Sequence, residues 1–140
     1  NGADVNIADK KERTPLWIAS AVGRKDMVKE LLKNGADVDK VNEDGKTPLW
    51  IASYKGHLGV VNLLLKRDDT KVNQEITDNG ITPLFVASFN GYTAVVEALL
   101  NKGANVNKPL DDGETPLFVA SDNGHIDVVN ALLTERKEVE

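Results

Sequence analysis

The sequence has no cysteine, which excludes a disulfide framework and any thiolate metal site. It has no excess of basic charge either: 17 Lys and Arg stand against 22 Asp and Glu, for a formal net charge of −5. With a pI near 5.1, a general binder of nucleic acid or of anionic membranes is not expected. Long hydrophobic runs are also missing. The longest, such as "VVNLLL" at 60–65, falls far short of the roughly 20 residues that span a bilayer, so no direct membrane insertion is expected. "NGADVNIADK" at the start has no signal-peptide features. These absences together lead to an expected cytoplasmic location. No G-x-S-x-G is present, nor a phosphate-cradling glycine loop followed by lysine. Histidine occurs only at His57 and His125, 68 residues apart in the same slot, which reads as structural. The turns "VNEDGK" and "PLDDGE" lack the alternating ligands of a calcium loop and read as solvated. Neither catalytic activity, a cofactor nor a metal is expected.

Proline is scarce, yet four of the five prolines fall in one recurring phrase. "TPLWIAS" stands at 14–20 and 47–53, and "TPLFVAS" at 82–88 and 115–121. Thr14, Thr47, Thr82 and Thr115 can each cap a helix through the side-chain oxygen. The proline after each cap sits at the first helical position, where the missing donor costs nothing. The Thr-Pro spacings are 33 (14 to 47), 35 (47 to 82) and 33 (82 to 115) residues. A first helix of about two turns should end at Gly23, Gly56, Gly91 or Gly124. A second follows, with apolar residues at helical spacing: Met27, Val28, Leu31, Leu32; Val60, Val61, Leu64, Leu65; Val95, Val96, Leu99, Leu100; Val128, Val129, Leu132, Leu133. Lys33, Lys66 and Lys102 close it, where the helix dipole favours cations. Neither helix can bury its apolar face alone, but stacked neighbours can, which predicts a continuous quasi-one-dimensional core.

These repeats resemble the ankyrin-repeat family, whose unit of about 33 residues carries a T-P-L-H-x-A signature. The resemblance covers the whole chain. It implies an all-α solenoid of stacked helix-turn-helix units with projecting β-hairpin loops. The expected division is 1–13 (tail of a truncated repeat), 14–46, 47–81, 82–114, and 115–140 with a polar C-terminal end. The chain therefore reads as a segment of a longer array or a longer protein.

Departures from the family pattern carry expectations of their own. Trp17, Trp50, Phe85 and Phe118 replace the family's histidine. They are expected to form an aromatic core ladder between adjacent helices, with a hydrophobic ligand slot as the alternative. Glu12 stands where Gly45, Gly80 and Gly113 sit in later turns, so the first turn either avoids positive φ or is strained. The second unit is two residues longer, and "KRDDTKVNQEITDNG" lacks the glycine equivalent to Gly35 and Gly103; a bulge at 66–76 is expected.

A solenoid offers an extended surface rather than a closed pocket, so binding is its natural use. The resemblance implies a protein- or peptide-binding module. A spacer segment of a long array, or a regulatory domain of a larger enzyme or channel, are the alternatives. The expected partner is a protein or peptide, with the chain monomeric or part of a longer one. In the family the concave face is built from hairpin tips and from the two residues before the glycine that ends the first helix. Here those pairs are Ala21 and Val22, Tyr54 and Lys55, Phe89 and Asn90, Asp122 and Asn123. Hairpin-tip candidates are Lys46, Asp78, Ile81, Asp111, Asp112 and Glu114. The tip charges run from +1 at 8–13 through −1 at 41–46 and −2 at 75–81 to −3 at 109–114. That gradient would orient a polarised ligand with its basic end toward the fourth repeat.

Overall fold

The computed structural model describes residues 2–76 and 79–134. Eight short helices follow one another in pairs: α1 (Pro15–Val22), α2 (Lys25–Lys33), α3 (Pro48–Lys55), α4 (Leu58–Leu65), α5 (Pro83–Asn90), α6 (Thr93–Asn101), α7 (Pro116–Asp122) and α8 (Ile126–Leu133). The Thr-Pro phrase acts as the sequence predicts. Each threonine oxygen accepts from the backbone N–H three residues on, at 3.0–3.2 Å, and each proline opens the helix. Within a repeat the two helices pack on each other. Between repeats α1, α3, α5 and α7 form one row, and α2, α4, α6 and α8 a second.

The main core lies between the rows. Leu16, Leu49 and Leu84 contribute from the first helices, Val28, Val61, Val96 and Val128 from the second, and all are buried. Helical periodicity places these residues inward, but burial also requires a neighbour on both sides. Met27 and Leu133 were expected in the core and are instead exposed, because they sit on the outer sides of the first and last repeats.

Adjacent repeats also interlock at the glycines that end the first helices. The ring of His57 lies against Gly23, that of Tyr92 against Gly56, and that of His125 against Gly91. His57 Nε2 is 3.1 Å from the Ala21 carbonyl and His125 Nε2 is 3.0 Å from that of Phe89, so both histidines are structural. At the middle joint, where tyrosine replaces histidine, the Asn90 amide donates to the Tyr54 carbonyl instead (2.9 Å).

Four hairpin-like loops project from the first-helix row, with no strand among the described residues. Across each a backbone N–H donates to a carbonyl on the far side: Asp9 to Arg13, Asn42 to Lys46, Ile76 to Ile81, and Leu110 to Glu114. Glu12 takes the left-handed conformation (φ 59°) that glycine supplies in the other turns, so the strained alternative holds. The two extra residues of the second repeat are divided. One lengthens the hairpin, whose closing pair is five residues apart at 76–81 against four elsewhere. The other lies after α4. In repeats one and three the carbonyls of Leu31 and Leu99 accept from the N–H groups of Ala36 and Ala104. In repeat two the Thr70 hydroxyl, six residues on, donates to the Leu64 carbonyl. A side-chain donor thus takes the place of the missing glycine turn.

Ahead of the hairpins in the chain, short polar side chains tie successive loops. Asn6 Oδ1 accepts from the Asp37 N–H (2.8 Å), and Asn73 Oδ1 from that of Asn105 (2.8 Å). Between them the Asp39 carboxylate accepts from the Lys71 N–H at 3.2 and 3.3 Å. Burial raises the Asp39 pKa above its ordinary value, and nearby Asp37 and Asp69 push it the same way. With the folded-state pKa raised, ionising Asp39 at neutral pH opposes folding; that cost disappears as pH falls through the raised value. Asparagine already fills this role at two equivalent positions. Asp39→Asn should therefore raise the melting temperature at pH 7. The difference from wild type should close as the pH is lowered below the carboxylate range. Calorimetry at several pH values checks both.

Candidate interaction surface

A second, smaller cluster lies on the hairpin side of the first-helix row. Trp17, Trp50, Ile51 and Val86 form it, with Ala21, Ile76 and Ile81 packed against them. The third residue after each threonine is carried toward the following hairpin, and that hairpin covers it. Trp17 Nε1 donates to the Lys46 carbonyl at 2.9 Å. The equivalent carbonyl for Trp50 would be that of Ile81, which accepts from the Ile76 N–H as the Lys46 carbonyl accepts from that of Asn42. The buried Trp50 N–H has no partner among the described residues. Phe85 is buried too. No hairpin among the described residues covers Phe118, which is 54% exposed, so within them the expected aromatic ladder stops at the third repeat.

On this base stands a layered stack. The Tyr54 ring lies 5.4 Å from that of Trp50, the planes 10° apart. Lys46 Nζ sits 4.9 Å from the Trp50 ring and Lys55 Nζ 5.8 Å from that of Tyr54. A cation thus meets each of the two stacked rings. Tyr54 is 41% exposed, and its backbone is tied to the next repeat by Asn90. Phe89, at the same position one repeat on, is 49% exposed. Asn123 donates to the Phe89 carbonyl at 3.3 Å, as Asn90 does to that of Tyr54. The Tyr54 and Phe89 rings are therefore displayed on a backbone that inter-repeat hydrogen bonds hold fixed.

The other predicted residues separate by role. Val22 is exposed at the edge of repeat one, and Asp111, Asp112 and Asp122 are exposed toward repeat four. Glu114 is half-buried, and its N–H donates to Asp112 Oδ1 at 3.0 Å. Lys46 and Ile81 belong as much to the packing over Trp50 as to the outer surface. Asn90 spends its amide on the joint between repeats. Asp78 lies outside the described residues. At the basic end Arg13 binds Asp9 at 2.6 Å; this hydrogen bond holds the Asp9 carboxyl below its usual range and raises the Arg13 pKa. Sequence reasoning missed the cation–ring stack. Part of its signal was present, since Trp50 and Tyr54 fall four residues apart on one helix.

A family model of ankyrin repeats, in three copies, matches residues 1–76 and again 68–140. The chain belongs to the ankyrin-repeat family. No match was found among curated proteins. The helix pairs, the capped Thr-Pro starts and the sideways hairpins all fit this family, whose repeats generally serve as protein–protein interaction modules. Among the described residues no three His, Asp or Glu side chains cluster to hold a metal, and no helix is long and apolar enough to cross a membrane.

Proposed function

We propose that this ankyrin chain binds a protein or peptide across the strip made by Tyr54 and Phe89, flanked by the hairpin tips. The observation that carries the reading is the pair of half-exposed rings at equivalent positions of adjacent central repeats, one of them stacked on a buried tryptophan. Rigid aromatic groups on a fixed backbone lose little entropy on binding and are common anchors of interfaces. Lys46 and Lys55 beside the rings, and the acidic tips beyond, supply a polar rim. The partner chemistry that fits is an amphipathic segment whose apolar face meets the rings and whose basic end lies over Asp111, Asp112 and Asp122. Binding rather than catalysis is the activity proposed.

The test is a random peptide library selected against the immobilised chain, with the enriched peptides titrated against variants. Tyr54→Ala and Phe89→Ala should each weaken binding by about tenfold or more. Asp111→Lys should mainly slow association of peptides with a basic end. Unchanged affinity and on-rate in all three would place the interface elsewhere.

A further inference from the structure

An amphipathic helix on a protein surface turns its charged residues outward. α2 follows that rule, with five charged residues among its nine. α4 breaks it, since Leu58–Leu65 reads "LGVVNLLL" and has no charged residue at all. Val60, Val61, Leu64 and Leu65 are buried on its inner side, which leaves Leu58, Gly59, Asn62 and Leu63 for the outer. On the neighbouring α6 the same slots hold Thr93, Ala94, Glu97 and Ala98. Between the two helices lies a groove of about 660 Å³. α4 lends it Gly59 and Leu63 and α6 lends it Ala94 and Ala98, each pair four residues apart. Gly59 has no conformational reason to be glycine. It sits inside a helix without a positive φ, and a Cβ there would meet only the Lys25 stem, with Cδ at 3.3 Å. Glycine is a poor helix former, so what it supplies here is room above the helix. Lys25, Lys66 and Lys102 stand around the groove against one carboxylate, Glu97, on a chain whose net charge is −5. None of the three lysines is ion-paired among the described residues. A further repeat at either end of the stack would extend the row and leave this groove open.

We propose that the groove between α4 and α6 receives an acidic amphipathic helix of a partner protein. Shape and charge together choose that occupant. Residues four apart on each helix form the ridges into which another helix packs, and the small side chains among them let it come to the roughly 8–10 Å at which helices pack. Leu58 and Leu63, both half-buried, supply the apolar contact. The lysines around them meet carboxylates on the flanks of the partner's apolar face, whereas basic flanks would set like charges together, so the groove selects by sign. The site is separate from the Tyr54–Phe89 strip and uses none of its residues. The strip's proposed ligand also carries a basic end, which these lysines repel.

The probe is a synthetic helical peptide with leucines at i, i+3, i+4 and i+7 and glutamates on its other faces, titrated by fluorescence anisotropy against the full chain. One peptide should bind per chain, and more weakly as salt is raised. Ala94→Glu, at an exposed site, and the double variant Lys66→Glu with Lys102→Glu should each weaken binding tenfold or more at wild-type helicity. Glu97→Lys should tighten it. Gly59→Gln should raise the melting temperature, because a better helix former replaces glycine, and yet lose the peptide. Tyr54→Ala and Phe89→Ala should leave binding unchanged, which separates this site from the strip. No binding by wild type, binding indifferent to Ala94→Glu and the lysine changes, or binding lost with Tyr54→Ala would overturn the proposal. Should Gly59→Gln melt below wild type, the glycine serves the fold, and Ala94→Glu decides alone.

Discussion

Leu64→Ala should cost about 2–5 kcal/mol of stability, the range for emptying a buried leucine site. Leu133→Ala, at a position of the same apolar pattern, should cost less than about 0.5 kcal/mol, as exposed sites do. Leu64 is fully buried in α4, in the middle of the stack, while Leu133 is 63% exposed at its end. The loss at Leu64 is a large share of the roughly 5–15 kcal/mol that a domain has. Repeats contact only their neighbours, so a weakened second repeat should also loosen the coupling between the two halves of the stack. Urea unfolding of Leu64→Ala should show a lower midpoint and a broader transition, with Leu133→Ala near wild type. Equal shifts in the two variants would mean that burial in this stack does not follow position along it.

Gly91→Ala should destabilise by about 2 kcal/mol and Gly124→Ala by about half as much. Both glycines are left-handed, with φ of 78° and 73°, a conformation that costs an alanine about 1 kcal/mol. The difference lies in what each meets. A Cβ on Gly91 would stand 2.6 Å from His125 Nδ1, whereas one on Gly124 would meet nothing within 4 Å. The histidine ring cannot retreat freely, because its Nε2 is 3.0 Å from the Phe89 carbonyl. Moving it gives up a hydrogen bond worth about 1 kcal/mol. Thermal unfolding of the two variants under one buffer condition measures the gap. If they fall together, the ring-on-glycine interlock adds nothing to the joint.

Much of this fold was legible in the sequence because a repeat states its rules four times. The threonine caps, the proline starts, the glycine ends and the helix pairing all come from local chemistry that neighbours do not change. Burial is different. Met27, Phe118 and Leu133 read as core because their equivalents are core, and they are exposed because no repeat among the described residues covers them as a neighbour covers those equivalents. Glu12 left two conformations open, and only the backbone shows that it takes the strained one. The insertion was visible as a length of two, but its division between a hairpin and the Thr70 turn depends on which carbonyls lack donors. The Trp50 N–H, without a partner among the described residues, leaves no trace in the sequence. Tyr54 and Phe89 came from their position in the family's repeat, and four-residue spacing permits the ring stack beneath Tyr54 without singling it out, since Phe85 and Phe89 share that spacing.

The binding reading rests on which side of the stack a partner touches, and site-directed photo-crosslinking tests this directly. A photoreactive side chain at position 89 faces the proposed strip, while one at Asn62, exposed on α4 in the second-helix row, serves as the contrast. With a peptide enriched in the library selection, the account predicts efficient crosslinking at 89, little at 62, and loss of the product at 89 when Tyr54 is also replaced by alanine. Crosslinking mainly at 62, or a product at 89 indifferent to Tyr54, would contradict it.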